Sequence, residues 1–205
     1  MIKMFEVKSK SFKTELYRKS IHLSSLWMPF IILLANKNWN ILLFFTLFVG
    51  NFIIEYMTFK KLPYVSIIFR KLFIKTLRYK EINRISFVPS GSVFVLAAAL
   101  IVSVCFTPKA GAAALTVMLI ADTVAALVGK SIGKFHFNNG KTFEGTLAFF
   151  ISSVFVILSF YPHITPLTVL ITAVFATATE FFEKNIGIDD NLMIPLVTGF
   201  ILNLI

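Results

Sequence analysis

The sequence consists largely of apolar stretches separated by short polar gaps, and this pattern restricts the chain to few kinds of fold. Seven such stretches are present, at 21–35, 39–56, 88–106, 111–128, 143–161, 165–181 and 192–205. Soluble domains are about 45–50% apolar and about 25% charged, whereas this chain of 205 residues is 57% hydrophobic and 15% charged. A hydrocarbon core about 30 Å thick takes about 20 residues of helix. The sequence therefore predicts an all-α integral membrane protein with about seven transmembrane helices in a single domain over 1–205.

The basic residues predict how the chain is oriented in the membrane. A net charge of +10 could indicate a nucleic-acid partner, but the Lys and Arg residues gather in short gaps between apolar stretches, which is typical of a membrane protein oriented by its loops. Eighteen of the 20 fall on one side of the predicted spans, which leaves Lys37 and Lys109 on the other. The positive-inside rule then predicts a cytoplasmic N-terminus and an external C-terminus. Because the charge distribution is that of a membrane protein, no nucleic-acid partner is expected. The single Cys105 allows neither a disulfide nor a thiolate zinc site.

The gap between the second and third stretches has a helical pattern of its own, over 62–84. On a helical wheel Phe69, Leu72, Phe73, Thr76 and Leu77 share one, mainly apolar face, and Lys71, Lys75 and Arg78 share the other. This pattern predicts a basic amphipathic helix on the inner leaflet, attracted to anionic lipid headgroups. A positive loop that only fixes the topology is the alternative.

Ionisable residues gather at one end of the predicted spans. The carboxylates at the cytoplasmic ends of spans two, four, five, six and seven are Glu55, Asp122, Glu144, Glu180, Asp189 and Asp190. His22 lies at the cytoplasmic end of span one, behind Arg18 and Lys19. Charges in or beside membrane spans are costly and usually functional. Together these residues predict one pocket that faces the cytoplasm.

Structural roles are the alternative for most of these residues. Glu183 with Lys184 is typical of a solvated loop pair, and Glu55 and Glu180 could pair with Lys or Arg at the membrane interface. Asp122 differs because it lies in the apolar run MLIADTVAALVG. An unpaired carboxylate there costs several kcal/mol or binds a cation. For Asp122 the functional interpretation is therefore favoured.

The segment after Asp122 has the residue types of a phosphate site. Gly129 and Gly133 allow close approach of the backbone, and the sequence then supplies Lys130, Lys134, Lys141, Thr142, Glu144 and Gly145. Free N–H groups at a helix start beside a lysine bind phosphate. Asp122 and Glu144 could hold Mg²⁺, which takes a few carboxylates together with phosphate oxygens. The GxxxxGK[ST] spacing of a P-loop is not present.

Four blocks of sequence together resemble the polyprenol kinase family, which includes dolichol kinase, phytol and farnesol kinases and the CTP-dependent diacylglycerol kinase of yeast. The blocks are RKSIH at 18–22, DTVAA at 122–126 followed by Gly129 and Gly133, KTFEGT at 141–146, and DDNL at 189–192 between Glu180 and Pro195. Ala121 replaces the glycine that usually precedes the aspartate of the second block. The chain is also shorter than eukaryotic dolichol kinases and resembles a compact bacterial member.

The resemblance implies transfer of the γ-phosphate of a nucleotide, typically CTP, to the hydroxyl of a membrane lipid alcohol. The catalytic residues it implies are Asp122, Lys141, His22 and Glu144, with Mg²⁺ on Asp122 and on Glu144 or Asp190. The residues expected to bind nucleotide and phosphate are Arg18, Lys19, Gly129, Lys130, Gly133, Lys134, Thr142, Gly145 and Asn191. Glu55, Glu180 and Asp189 would complete the pocket. His22 or a carboxylate would accept the proton of the alcohol.

Two other functions compete with the kinase. A CDP-lipid synthase that acts on phosphatidate also carries a K-T-x-E-G block like the one at 141–145, but the blocks at 18–22 and 189–192 favour the kinase. A small transporter would need polar residues in the outer half of the bilayer, where the last three spans offer mainly Ser and Thr. Polyprenol, farnesol, geranylgeraniol, phytol and diacylglycerol all remain candidate acceptors. The expected location is a bacterial inner membrane, with the active site facing the cytoplasm.

Overall fold

The computed structural model describes residues 2–60 and 87–205, and within these ranges it consists of helices joined by loops, without a β-strand. The predicted amphipathic helix at 62–84 lies outside the described residues. The helices described are α1 (Ile2–Ser24), α2 (Trp27–Leu34), α3 (Lys37–Phe59), α4 (Gly91–Cys105), α5 (Pro108–Ile132), α6 (Phe143–Phe160), α7 (Pro166–Phe181), α8 (Glu183–Ile186) and α9 (Asp190–Asn203). The predicted all-α class is confirmed.

Side-chain caps explain where most of the long helices begin. A short polar side chain just before the first turn accepts a hydrogen bond from a backbone N–H that the helix itself leaves unpaired. Two of the capping residues are followed directly by proline, which suits the first helical position. The capping residues are Asn36 for α3, Thr107 for α5, Thr142 for α6, Thr165 for α7 and Asp189 for α9.

Within the described ranges, three helices are long and apolar enough to cross a membrane: α3, α5 and α6. Helices α4 and α7 are apolar but shorter. The predicted stretch 21–35 does not form one helix, because α1 ends at Ser24 and α2 begins at Trp27. Pro29 has no N–H to donate to the carbonyl of Ser25, so one of the backbone hydrogen bonds that would join α1 to α2 is lost. Helix α2 has 8 residues and is therefore only about 12 Å long.

Helix α5 forms the centre of the bundle and packs against α1, α2, α4, α6 and α9. In the most apolar 18-residue segment of α5, 72% of the residues are buried, whereas the share is 17% in the corresponding segment of α3 and 28% in that of α6. Five small residues at its start, over 110–114, are all buried, and small side chains let helix backbones approach closely. Exposed apolar side chains lie instead on the outer helices, for example Phe45, Phe155 and Phe175.

Contacts between helix ends show the relative directions of four helices: α4 and α9 run the same way, and α5 runs opposite to both α6 and α9. At one end, the N–H of Thr107 donates to Oδ1 of Asn203 at 2.7 Å, and Lys109 Nζ lies 4.4 Å from the centre of the Tyr161 ring. At the other end, a Cβ on Gly91 would lie 3.4 Å from Nδ2 of Asn191. The start of α5 therefore meets the end of α9, and the start of α4 meets the start of α9.

Candidate functional site

Helix α1 brings a lysine and a histidine to the predicted aspartate. Lys19 Nζ donates a hydrogen bond to Oδ2 of Asp122, and Nε2 of His22 lies 3.5 Å from the same oxygen. Only 4% of Lys19 and 8% of Asp122 are exposed. Asp122 lies ten residues before Ile132, the last residue of α5, which is about 15 Å along the helix. It is therefore deeper in the bundle than the predicted position at a span end.

A second ionic contact joins the same two helices. Glu15 accepts a hydrogen bond from Lys130 Nζ at 2.6 Å and another from Arg18. Burial raises the pKa of the Glu15 carboxyl, but the Lys130 hydrogen bond and the Arg18 charge outweigh it, so this pKa lies below its usual value. Arg18 and Lys130, predicted to bind phosphate, are thus engaged by Glu15. The prediction did not include Glu15, although its spacing from Lys19 and His22 places all three on one face of a helix.

The loop before α6, the end of α7, the start of α8 and the start of α9 form the other half of the site. Lys141 Nζ lies 2.5 Å from Oε1 of Glu180 and 3.7 Å from Oε2 of Glu183. The ammonium group also donates to the backbone carbonyl of Glu180. Asp190 and Glu180 are each 7% exposed. This half therefore places a lysine among buried carboxylates, as the predicted pocket required.

Three acids in this half have the geometry of a cation site. In the described part of the chain, one ligand oxygen each from Glu183, Asp189 and Asp190 lie within 4.8 Å of one another. Glu183 does not form the solvated pair with Lys184 considered above, because Lys184 donates to the carbonyl of Asn139. Carboxylates at such spacing suit Mg²⁺ or Ca²⁺.

Glu144, predicted as a metal ligand, has a different environment. Its Oε1 accepts hydrogen bonds from the backbone N–H of Lys134 at 2.9 Å and of Phe135 at 3.4 Å. Asp122 faces Lys19 and His22. Of the three predicted ligands, Asp190 alone belongs to the group of acids with cation-site geometry, as far as the described residues reach. Through these hydrogen bonds Glu144 joins the start of α6 to the loop that follows α5.

Electrostatic interactions connect the two halves of the site. The negative charge of Asp122 repels the carboxylates of Asp190 and Glu180, and the positive charge of Lys19 attracts that of Asp190. We call the five carboxylates the acidic cluster: Asp122, Glu180, Glu183, Asp189 and Asp190. Within the described residues, two lysines contact acids of the cluster, Lys19 at Asp122 and Lys141 at Glu180. The cluster therefore combines carboxylates, which can hold a cation, with ammonium groups, which can bind phosphate oxygens.

Buried polar atoms in and beside the acidic cluster also lack partners. Oε2 of Glu180, Oδ1 of Asp190 and Nε2 of His22 make no hydrogen bond with the part of the chain that the structure describes. Such an atom costs about 1–3 kcal/mol when it is left unpaired. A ligand that brings both a cation and hydrogen-bonding groups would give these three atoms partners.

The predicted glycines have a packing role. A Cβ on Gly133 would lie 2.2 Å from the carbonyl oxygen of Gly129, and one on Gly129 would lie 2.8 Å from Oγ1 of Thr142. A Cβ on Gly145 would lie 3.0 Å from the carbonyl oxygen of Ala125. Thr142 itself accepts the Gly145 N–H at 3.1 Å. Contact between α5 and the start of α6 thus accounts for these glycines.

Glu55 lies near the end of α3, where its side chain is fully buried against the start of α4. Its carboxylate accepts the N–H of Ser90 at 3.0 Å and the hydroxyls of Ser90 and Ser92. These contacts tie α3 to the first turn of α4 in the manner of a helix cap. Gly91 faces Asn191 of α9, so the start of α4 borders the acidic cluster.

The fold and site define a class of protein: an all-helical chain with apolar helices of membrane-spanning length around buried acids and lysines. The chain belongs to the same family as the uncharacterized protein RP860 of Rickettsia prowazekii. The two are 31% identical over 199 residues, which cover 93% of this chain and 94% of that protein. The chain is also 40% identical over 88 residues to the uncharacterized protein MJ1137 of Methanocaldococcus jannaschii, or 42% of this chain and 44% of that one. No family model and no solved structure matches the chain.

Proposed function

We propose that this protein is a membrane-embedded kinase that transfers the terminal phosphate of a nucleoside triphosphate, with CTP as the first candidate, to the hydroxyl of a membrane lipid alcohol. The observation that carries the proposal is the acidic cluster with its unpaired buried oxygens and its two lysines. A magnesium–nucleotide complex brings a cation to the carboxylates and offers phosphate oxygens to the lysines. The four sequence blocks that resemble polyprenol kinases supply residues to this region.

The donor set of the acidic cluster fits Mg²⁺, because it consists of carboxylate oxygens. Glu183, Asp189 and Asp190 would hold the ion. When bound, Mg²⁺ supplies charge neutralisation for the phosphates. The ammonium groups of Lys141 and Lys19 neutralise the negative charge that remains on the phosphates. Asp122 holds Lys19 in place.

In the proposed reaction the attacking hydroxyl oxygen and the leaving nucleoside diphosphate lie on opposite sides of the γ-phosphorus. The hydroxyl oxygen of the acceptor forms a bond to the γ-phosphorus, while the bond from that phosphorus to the β–γ bridging oxygen breaks and the nucleoside diphosphate leaves. Nε2 of His22 accepts the hydroxyl proton, since it is buried and makes no hydrogen bond with the described residues. Positioning and charge neutralisation do most of the catalytic work in such a reaction.

The reaction class has a direct test in membranes that contain the protein. With CTP labelled at the γ position, Mg²⁺ and a panel of lipid alcohols, label should enter the lipid; with CTP labelled at the α position, it should not. Parallel reactions with ATP, GTP and UTP identify the donor. Entry of α label together with release of pyrophosphate would refute the kinase and support a phosphatidate cytidylyltransferase. If neither labelled CTP transfers label to lipid, both enzyme activities would be contradicted and a transporter function would be favoured.

The topology completes the proposal: seven spans in a bacterial inner membrane, with a cytoplasmic N-terminus and an active site that faces the cytoplasm. The opposite directions of α5 and α9 and the shared direction of α4 and α9 support it, as does the distribution of Lys and Arg. A reporter fused after Ile205 should behave as extracytoplasmic, and one inserted near Asn139 as cytoplasmic. A cytoplasmic signal from the reporter at Ile205 would overturn the count of seven.

A further inference from the structure

A groove opens between α6 and α7 on the outside of the bundle. Its volume is about 330 Å³, at the lower end of the range of about 300–1,000 Å³ found for small-molecule sites. No charged side chain lines it in the described ranges, and its walls are mainly aromatic and aliphatic. The wall residues are Phe143, Leu147 and Phe150 from α6 and Val174, Ala178 and Phe181 from α7.

One end of the groove reaches the acidic cluster. Phe181 directly follows Glu180, and Phe143 lies two residues after Lys141. Because Lys141 and Glu180 are in contact at 2.5 Å, the same end of the groove adjoins both. From Phe143 to Phe150 the groove follows two turns of α6, or about 10 Å. An apolar chain in the groove would thus carry its polar end to the proposed site of phosphate transfer.

The groove contains an unusual hydroxyl group. Helical Ser and Thr residues of this protein typically donate to the carbonyl four residues earlier, as Thr177 does to Ala173 at 2.6 Å and Ser153 to Phe149 at 2.8 Å. Oγ1 of Thr146 is buried and has no such partner in the described part of the chain. Thr146 lines the groove beside Leu147. A rotation about χ1 would turn this hydroxyl toward a bound molecule.

We infer that the groove binds the hydrocarbon chain of the acceptor and that Thr146 holds its hydroxyl end, an inference that rests on the proposed function. An alcohol both donates and accepts a hydrogen bond, so it can satisfy the Thr146 hydroxyl. The small volume takes one chain segment rather than two. A single-chain alcohol, such as an isoprenoid alcohol, thus fits the groove better than a diacylglycerol, whose second chain would have to lie outside it.

Photo-labelling tests the groove without any nucleotide. The probe is a fifteen-carbon prenyl alcohol that carries a diazirine, mixed with the purified full-length protein in detergent. Label should map to 143–150 and 174–182. Ala178→Trp fills the groove and should reduce labelling by about tenfold, as should Leu147→Trp on the opposite, partly exposed wall. Leu170→Trp is the matched control on α7, exposed and outside the groove; it should label like the wild type.

The Thr146 contact is tested by kinetics. Thr146→Val keeps the shape and removes the hydroxyl, so KM for the single-chain alcohol should rise about tenfold while KM for CTP stays constant. Thr146→Ser should restore the wild-type KM. An equal KM for the alcohol in wild type and Thr146→Val would overturn the role of Thr146.

The two proposals fail in different ways. Labelling that Ala178→Trp and Leu147→Trp both leave unchanged, in a protein that phosphorylates lipid, would overturn the groove and keep the kinase. Labelling that depends on the groove, in a protein without phosphate transfer to any alcohol, would overturn the kinase and keep the groove as a lipid site. A clear preference for diacylglycerol over single-chain alcohols would contradict the inferred acceptor.

Discussion

Asp122→Asn should lower the rate of phosphate transfer by about 10²–10³-fold or more, the size of effect seen when a preorganised electrostatic contact is removed from an active site. The amide keeps the size of the carboxylate but loses the charge that fixes Lys19. Lys19 would then no longer be held in position for the phosphates. Initial rates with γ-labelled CTP in membranes measure the effect, and immunoblots of the same membranes check that the variant is inserted.

A double variant separates this role from a purely structural one. Removal of one partner from a buried ion pair destabilises a protein by about 3–5 kcal/mol, whereas replacement of both by apolar residues is often neutral or stabilising. Lys19→Met/Asp122→Leu should therefore unfold at or above the wild-type temperature and still be inactive. Near-normal turnover in this double variant would show that the pair only holds α1 against α5.

Asp190→Asn should raise the Mg²⁺ concentration needed for half-maximal activity by at least about tenfold, because it removes a charge from the proposed ion site. Glu183→Gln should act in the same direction. Purified protein without nucleotide gives a second measurement: Mn²⁺ binding, followed by electron paramagnetic resonance, should weaken in both variants. These readouts concern the cation itself and do not depend on which alcohol is supplied.

Glu144→Gln is the matched control for the ion site. Its carboxylate accepts backbone N–H groups of the loop at Lys134 and Phe135, and an amide oxygen can still accept them. The Mg²⁺ requirement and Mn²⁺ binding should therefore stay close to wild type. A larger change in Glu144→Gln than in Asp190→Asn would overturn the ligand set of Glu183, Asp189 and Asp190, and it would favour the set first predicted from the sequence.

Much of the fold could be predicted because apolar length and capping residues are local signals. Helices α3, α5 and α6 begin after Asn36, Thr107 and Thr142, all visible in the sequence at the edges of apolar stretches. The break between α1 and α2 was missed because Pro29 lies inside an apolar run. Hydropathy alone does not register a missing backbone donor there.

For the candidate site, the sequence predicted several of the residues but few of their contacts. The sequence blocks placed Lys19, His22 and Asp122 in one pocket, and the structure brings them into contact. Their pairing order depends on how helices pack, which no local pattern encodes. Glu183 was assigned to a loop pair because Lys184 follows it directly, yet adjacent residues on a helix point in different directions. The bonds of Glu144 to backbone N–H groups depend on the loop shape and had no sequence signal.

The central position of α5 has a consequence for the order in which the protein is assembled. The ribosome makes α1 and α5 before α7 and α9, so in the proposed topology Asp122 would enter the membrane before the helices that carry the other acids of the cluster. Lys19 is already present by then and can neutralise Asp122 as soon as α5 is inserted. Glu15 and Lys130 can pair at the same time. The contact between α1 and α5 thus gives the nascent chain a way to shelter its central carboxylate from lipid before the rest of the bundle exists.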